Sequence, residues 1–205
     1  VHLGEVSLEI LHTPGHTMDS ISLALRHHET GETSVGVFTG DALFVNDVGR
    51  TDFYPGREAE VSGMLYDSLH DKILPLGEQA VVYPAHGAGS VCGQGMASRD
   101  FTTIGYERAH NPALQTGRDG FIEKKAAEEH QKPPYFKMME ALNAGGAPRI
   151  GPRPAPVQPL DADAFIRRMN DGLIAVDVLM AESFAGGHPP GAVSLPLSML
   201  PAFAG

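Results

Sequence analysis

Residues 11–41 read LHTPGHTMDSISLALRHHETGETSVGVFTGD, and this stretch decides how the rest of the chain is interpreted. It places His16 in a Pro-Gly turn and, 25 positions later, Asp41, which follows an apolar run that ends in Thr39-Gly40. A third segment repeats this arrangement of an apolar run followed by a polar residue: the apolar pair 81–82 precedes His86. Side chains at the ends of adjacent buried strands converge on one edge of a sheet. We therefore predict a candidate active site at that edge.

Taken alone, each of these three polar residues also has an ordinary explanation. His16 can be a turn or surface residue, Asp41 can cap a turn through its own side chain, and His86 can be a loop residue. Three such residues at three strand ends are harder to explain in that way. Imidazole and carboxylate groups are metal ligands, so the pattern favours a metal site.

The other elements follow from the spacing of apolar residues. Alternation predicts strands, and apolar residues three or four positions apart predict helices. The helix over 57–74 is the clearest, since it has one apolar face and Pro75 follows it. The remaining predictions are strands over 5–10, 20–26, 36–39 and 79–83, and helices over 99–114, 119–131 (capped by Asp119) and 135–143.

Composition sets limits on function. A formal charge of -10 argues against nucleic acid as a partner, because nucleic-acid-binding domains carry basic patches. No apolar run approaches the roughly 18 residues that span a bilayer, which argues against a membrane protein. Cys92 is the single cysteine, so an internal disulfide is excluded and a reducing compartment fits. We expect a cytoplasmic protein that forms a homo-oligomer.

Three strings resemble the second half of a metallo-β-lactamase-fold protein. They are HTPGHTMDSISL at 12–23, FTGDALFVNDVGRTDF at 38–53 and VYPAHGAGS at 82–90. The resemblance covers about residues 5–200. It implies an α/β fold, the C-terminal half of an αββα sandwich. In that family the histidine of a PGH turn, a GD aspartate and a PAH histidine line the metal site, and their counterparts here are His16, Asp41 and His86.

Within that superfamily, the run GRTDF at 49–53 is similar to persulfide dioxygenases. Those enzymes use one ferrous iron and oxidise a thiol-bound persulfide to sulfite with O2. The run HGAGS at 86–90, with 92–93 and 103–108 after it, resembles the branch fused to rhodanese modules. The resemblance therefore implies Fe(2+), or Zn(2+) as the alternative, and a small-molecule thiol persulfide together with O2 as partners.

The implied ligand set is incomplete. A mononuclear ferrous site takes two histidines and one carboxylate, and by resemblance His16 and Asp41 supply two of these three. His86 either contacts the metal ligands without binding the metal, or binds a second metal, as in dinuclear zinc relatives. The His-x-His-x-Asp-His motif of the family's first half does not occur in these 205 residues. We therefore expect this chain to be a piece of a longer protein, inactive alone, whose sheet exposes apolar surface.

Four further residues are candidates for catalysis or substrate binding. Arg50 is placed near the metal by resemblance, and it can pair with Asp52, with another acid or with a substrate carboxylate. Tyr83 lies three positions before His86. Cys92 is either a small buried apolar residue or a sulfur-handling group.

A composition break divides the chain into a predicted metallo-β-lactamase-like domain over 1–146, a Pro-rich linker over 147–159 and a rhodanese-like domain over 160–205. In the last part we predict a capped helix over 161–169 and a fully buried strand over 173–178. It resembles the start of a rhodanese-like α/β domain, with Leu179 where that family has arginine. No cysteine follows Cys92, so a rhodanese catalytic cysteine is absent from this chain.

Three functions remain open on the sequence. The resemblance favours a non-haem iron persulfide dioxygenase coupled to a rhodanese sulfurtransferase module. The first alternative is a zinc-dependent hydrolase of the glyoxalase II kind, which cleaves thioesters with metal-activated water. The second is a non-catalytic sulfur-binding or scaffolding protein.

Overall fold

The computed structural model describes residues 1–31, 33–130, 132–133, 135–149, 151 and 156–203. The chain divides into two compact units, Val1–Gln131 and Lys132–Gly205. The predicted linker at 147–159 includes residues 150 and 152–155, which lie outside the described residues. The domain boundaries drawn from the sequence therefore stay predictions.

The first unit is built on a mixed sheet with the strand order β1-β2-β3-β4-β5-β6. Its neighbouring strands are antiparallel except for β4 and β5, which run parallel. The four strands predicted for this unit are present as β2 to β5, with ends that differ by a few residues, whereas β1 and β6 were not predicted. The bounds are β1 His2–Leu3, β2 Val6–His12, β3 Ile21–His27, β4 Ser34–Gly40, β5 Val81–Pro84 and β6 Thr102–Thr103.

These strand directions bring three loops to one edge of the sheet. Strands β2 and β4 are each antiparallel to β3, so they share a direction, and β5 runs parallel to β4. The carboxyl ends of β2, β4 and β5 therefore lie at the same edge. His16 comes after β2, Asp41 after β4 and His86 after β5.

Helices cover one face of this sheet. Helix α1 (Glu58–Ser68) continues as a wider π-type turn over Leu69–Ile73 and a 3₁₀ turn over Leu74–Leu76, which extends two residues beyond the helix predicted over 57–74. Its apolar residues join those of the sheet and of helix α3 (Arg118–Ala126) in one core. The core includes Val37, Val82, Leu65, Leu69, Ile73, Ile104 and Phe121.

Two helix predictions need correction. The segment predicted as one helix over 99–114 contains strand β6, helix α2 (Ile104–His110) and a 3₁₀ turn over Pro112–Gln115. Pro112 lacks the amide hydrogen that a continuing helix needs, and the Asn111 side chain caps the new turn. Asp119 lies in the first turn of α3 rather than at its cap, which is Gly117, and the helix ends at Ala126. Gln131, its predicted last residue, is outside the described part.

The opposite face of the sheet is apolar and open. Residues directly opposite each other in neighbouring strands share a face, and the register pairs Ile10 with Leu23, Leu23 with Phe38 and Phe38 with Tyr83. Ile10 is 59% exposed, Phe38 43% and Tyr83 40%. The exposed apolar surface expected from the sequence is present on this face.

The second unit has short elements. They are α4 Phe136–Gly145, α5 Ala162–Asn170, β7 Val176–Asp177, α6 Ala181–Gly186, β8 Val193–Ser194 and α7 Leu200–Phe203, with β7 parallel to β8. The Asp161 carboxylate caps α5 by accepting from the amide of Ala164, as predicted. The fully buried strand predicted over 173–178 is wrong: only Val176–Asp177 is a strand, and Ile174 is 70% exposed. A two-stranded sheet is too small to bury both of its faces.

Among the described residues, no helix combines the length and the apolar character needed to cross a membrane.

Candidate metal centre

The turn that carries His16 is held against helix α1. Ser68 in α1 donates a hydrogen bond from its hydroxyl to the carbonyl of Pro14 at 2.7 Å. Gly15 has a φ of 142°, and a Cβ at this position would lie 2.4 Å from the Cα of Leu65. Glycine therefore permits the close approach of the turn to the helix. The turn is positioned by the core rather than by solvent-exposed contacts.

The His16 ring is oriented by a backbone carbonyl. Its Nδ1 lies 3.0 Å from the carbonyl oxygen of Arg50, so Nδ1–H donates to that oxygen and Nε2 keeps its lone pair. Nε2 lies 3.7 Å from Oδ1 of Asp41. Burial lowers the pKa of His16, and the nearby Asp41 carboxylate opposes that shift. The surroundings thus leave a ring with one nitrogen available for a ligand.

Asp41 presents an oxygen without a hydrogen bond. Among the described residues, its buried Oδ1 has no hydrogen-bond partner. Nε2 of His86 lies 3.0 Å from that oxygen, but the pair lacks hydrogen-bond geometry. A buried carboxylate oxygen left in this state is costly unless a cation or a donor approaches it. This orphaned oxygen is the strongest local sign of a cation position.

The spacing of the ligand atoms fits one metal ion. Two ligands bound at about 2.1 Å in tetrahedral geometry lie about 3.5 Å apart. Nε2 of His16 and Oδ1 of Asp41 are 3.7 Å apart. The donor set, one imidazole and one carboxylate, suits iron or zinc. The residues of this edge therefore fit the metal that the sequence resemblance implies.

Arg50 has a structural position. Its side chain is fully buried, and its guanidinium binds both carboxylate oxygens of Asp52, at 2.6 and 2.7 Å. A third hydrogen bond runs from Nη1 to the carbonyl of Val91 at 3.0 Å. Of the pairings left open by the sequence, the one with Asp52 is thus formed. Arg50 connects the loop after β4 with the loop after β5.

Phe53 packs on both of these groups. Its ring meets the His16 ring edge-on with the centroids 5.0 Å apart. The guanidinium carbon of Arg50 lies 5.2 Å from the centre of the same ring. The run 49–53 therefore surrounds His16 with a carbonyl, a buried cation and an aromatic ring.

Cys92 joins His16 and Asp41. Among the described residues, these three form the group whose possible ligand atoms all lie within 4.8 Å of one another. Cys92 is half-buried, and burial, followed by the Asp41 charge, raises the pKa of its thiol. His86 has a more exposed side chain, at 39%, and a tilted contact with Phe44. It touches Asp41 without belonging to that group of three.

Tyr83 lies elsewhere. It occupies the open face of the sheet and stacks on Phe38, with the ring centroids 5.2 Å apart. A substrate-binding role for Tyr83 stays a prediction.

Glu107 was not predicted from the sequence as a functional residue, and its hydrogen bonds hold the loop after Asp41 in place. Glu107 is fully buried, and its Oε2 accepts from the amide of Asn46 and from the side chain of Asn111, both at 2.8 Å. Asn46 has a φ of 67°, a conformation that asparagine tolerates better than most residues. No sequence signal marks Glu107, because Arg108 and His110 make the same helix polar.

Comparisons with known proteins place this geometry in context. No family model matches the chain. The bovine mitochondrial persulfide dioxygenase ETHE1 is 32% identical over 122 residues, which cover 60% of this chain and 41% of that protein. The hydroxyacylglutathione hydrolase GloC of Haemophilus influenzae is 37% identical over 110 residues, covering 54% of this chain and 42% of that protein. This chain thus spans less than half the length of these curated relatives.

A solved structure matches more of the chain. A metallo-β-lactamase from Staphylococcus aureus has a TM-score of 0.74 and 28% sequence identity, and the match covers 96% of this chain and 54% of that one. The first unit ends at Gln131, so a match of this extent also includes residues of the second unit. The predicted fold class is confirmed.

Proposed function

We propose that this chain, which is similar to metallo-β-lactamase-fold proteins, forms part of an iron-dependent persulfide dioxygenase, which oxidises a thiol-bound persulfide to sulfite with O2. The observation that carries the metal site is the pair formed by Nε2 of His16 and the orphaned Oδ1 of Asp41. The choice of reaction is supported by the similarity to persulfide dioxygenase ETHE1 and by the run 49–53.

His16 and Asp41 would hold the iron, and a bound ferrous ion would supply the redox chemistry that lets O2 react with sulfur. The carbonyl of Arg50 fixes the tautomer of His16, so its Nε2 would be available to bind the ion. Asp41 brings one negative charge, which offsets part of the charge of the cation. Phe53 excludes water from one side of His16.

Arg50 contributes by position rather than by contact with substrate. Its guanidinium is engaged by Asp52 and by the carbonyl of Val91. It holds the carbonyl that orients His16 and the loop that carries Cys92 in one rigid arrangement. Residues that hold a ligand in this way fix its orientation and tune its affinity for the metal.

A second candidate function is a zinc hydrolase that cleaves thioesters. It is supported by the similarity to hydroxyacylglutathione hydrolase GloC, which is 37% identical over the matched residues. His86, 3.0 Å from Asp41, is suitably placed to hold a second metal next to the first. In that case His16, Asp41 and His86 would bind ions that activate water.

The proposed coupling to sulfur transfer rests on the second unit, whose resemblance to rhodanese is a sequence expectation. The two-unit division of the chain is compatible with a separate module. This chain has no cysteine after Cys92, so its own residues cannot carry a persulfide in that module.

Metal analysis of the full-length protein separates these functions. We expect one iron per chain and O2 uptake with a thiol persulfide, both lost in His16→Ala. His28→Ala, which removes an exposed histidine of the first unit, is the matched control and should keep both. Two zinc ions with thioester cleavage would favour the hydrolase, and no bound metal would contradict both enzymes.

A further inference from the structure

Cys92 lies at the metal position, beside the two ligands already described. The possible ligand atoms of His16, Asp41 and Cys92 lie within 4.8 Å of one another. Ligands around one ion are about 3.5 Å apart, so the sulfur must approach by at most about 1.3 Å. A change in one side-chain torsion covers that difference.

The backbone around Cys92 is held in place from both sides. The buried guanidinium of Arg50 binds the carbonyl of Val91, the preceding residue, at 3.0 Å. Further along the chain, Asp47 accepts from the amide of Gly95 at 2.8 Å. The amide of Cys92 itself donates to the hydroxyl of Ser90 at 3.1 Å. Contacts to the loop that comes after Asp41 therefore fix the position of the Cys92 backbone.

Two independent features indicate that a cation belongs between these side chains. His16 is only 8% exposed, its Nδ1 is used by the Arg50 carbonyl, and its Nε2 faces the cluster. Oδ1 of Asp41 is buried and has no hydrogen bond among the described residues. An imidazole nitrogen and a buried carboxylate oxygen without a hydrogen bond, 3.7 Å apart, favour a positive charge between them.

We propose that Cys92 supplies a thiolate sulfur as the third ligand that this chain gives to the metal, alongside His16 and Asp41. The inference rests on the proposed metal-dependent function. Binding deprotonates the thiol and releases that proton to solvent. A sulfur ligand favours iron, zinc or cobalt over magnesium or calcium. His86 then remains outside the ligand set and acts on Asp41.

Cobalt substitution tests this directly, because a cobalt–thiolate bond adds a charge-transfer band in the near ultraviolet that nitrogen and oxygen ligands do not give. The full-length protein is loaded with Co(2+), and its spectrum is compared with those of Cys92→Ser and of Ser98→Ala, which changes an exposed serine further along the chain. We expect the band in the wild type and in Ser98→Ala, and its loss in Cys92→Ser. X-ray absorption of the zinc-loaded wild type should show one sulfur at about 2.3 Å.

Affinity provides a second readout that does not depend on activity. Chelator competition should give about 10–100-fold weaker metal binding in Cys92→Ser, an effect of the size seen even for supporting groups. Cys92→Asp restores a ligand and should recover affinity without the sulfur band. Cobalt binding that requires His16 but gives the same spectrum and affinity in Cys92→Ser would overturn the role of Cys92 alone. Binding that is absent, or independent of His16, would overturn the proposed metal site as well.

Discussion

Gly49 lies directly against the backbone of Asp41. A Cβ added at Gly49 would be 1.9 Å from the carbonyl oxygen of Asp41 and 3.3 Å from Nδ1 of His16. Nonbonded atoms do not approach so closely. Any side chain at this position must therefore push the loop that carries Gly49 away from the end of β4. The arrangement of His16 and Asp41 therefore depends on Gly49, which has no side chain to act as a ligand.

Replacing Gly49 by alanine should disrupt the site. Overpacking of this kind costs about 1–3 kcal/mol or more, and here the displaced segment includes the Arg50 carbonyl that orients His16. We expect Gly49→Ala to lower the free energy of unfolding, measured with urea, and to lose bound metal. Gly87→Ala is the matched control, since a Cβ at Gly87 meets no atom within 4 Å. Equal metal content in the two variants would contradict the argument.

The pair of Arg50 and Asp52 should contribute to stability more than exposed pairs do. Arg50 is fully buried, so removing the charge of Asp52 leaves a cation without its bidentate partner. We expect Asp52→Asn to lower the free energy of unfolding by about 3 kcal/mol. Glu60→Gln breaks the similar pair of Arg57 and Glu60 at the surface, and its effect should be much smaller. A Glu60→Gln effect as large as that of Asp52→Asn would contradict the prediction that the buried pair contributes more to stability than the exposed pair.

His70 predicts a pH dependence of stability away from the metal site. Burial lowers the pKa of His70 below its ordinary value of 6.5, against the opposing charge of Asp71. Its ring stacks on Tyr66 at 4.0 Å, and its buried Nε2 has no hydrogen-bond partner among the described residues. As pH falls below 6.5, the unfolded chain takes up a proton before the folded chain does, so stability decreases.

Urea unfolding at several pH values checks this effect. The free energy of unfolding of the wild type should decrease as the pH is lowered from above 6.5 to below it. The decrease should be smaller for His70→Gln over the same interval. Acidification also protonates carboxylates such as Asp67, whose pKa is lowered by its hydrogen bond to Arg118, and this lowers the stability of both proteins. The difference between the two proteins isolates the histidine. Identical curves would show that His70 titrates alike in both states.

The sequence was sufficient to predict that His16, Asp41 and His86 follow strands that end at one edge of the sheet. Runs such as 35–38 and 81–82 indicate strands, and a residue just past the end of a strand must lie at an edge of the sheet. His16, Asp41 and His86 could therefore be grouped without coordinates. The helix over 57–74 was readable because its apolar residues keep a helical spacing. The close approach of Gly49 to Asp41 was not readable, because it depends on how one loop packs on another.

The errors have physical causes of the same kind. The predicted helix over 99–114 failed because strand β6 pairs with β5, a tertiary contact that a helical pattern does not reveal. The predicted buried strand over 173–178 failed because apolar content predicts burial only where another layer covers it. Cys92 was a candidate from the sequence, but its proximity to Asp41 and the contact of Arg50 with Val91 depend on how the two loops pack, which the sequence does not show.

The open sheet face should make this chain associate. Ile10, Leu23, Phe38 and Tyr83 form one apolar row, and exposed patches of this kind favour contact between molecules. We expect self-association of the 205-residue chain in sedimentation velocity experiments, in line with the predicted homo-oligomer. Ile10→Lys should weaken it, because a charge in the row must be desolvated on contact. Ile174→Lys, at a position 70% exposed in the second unit, is the matched control. If both lysine variants associate like the wild type, the row is not the contact surface.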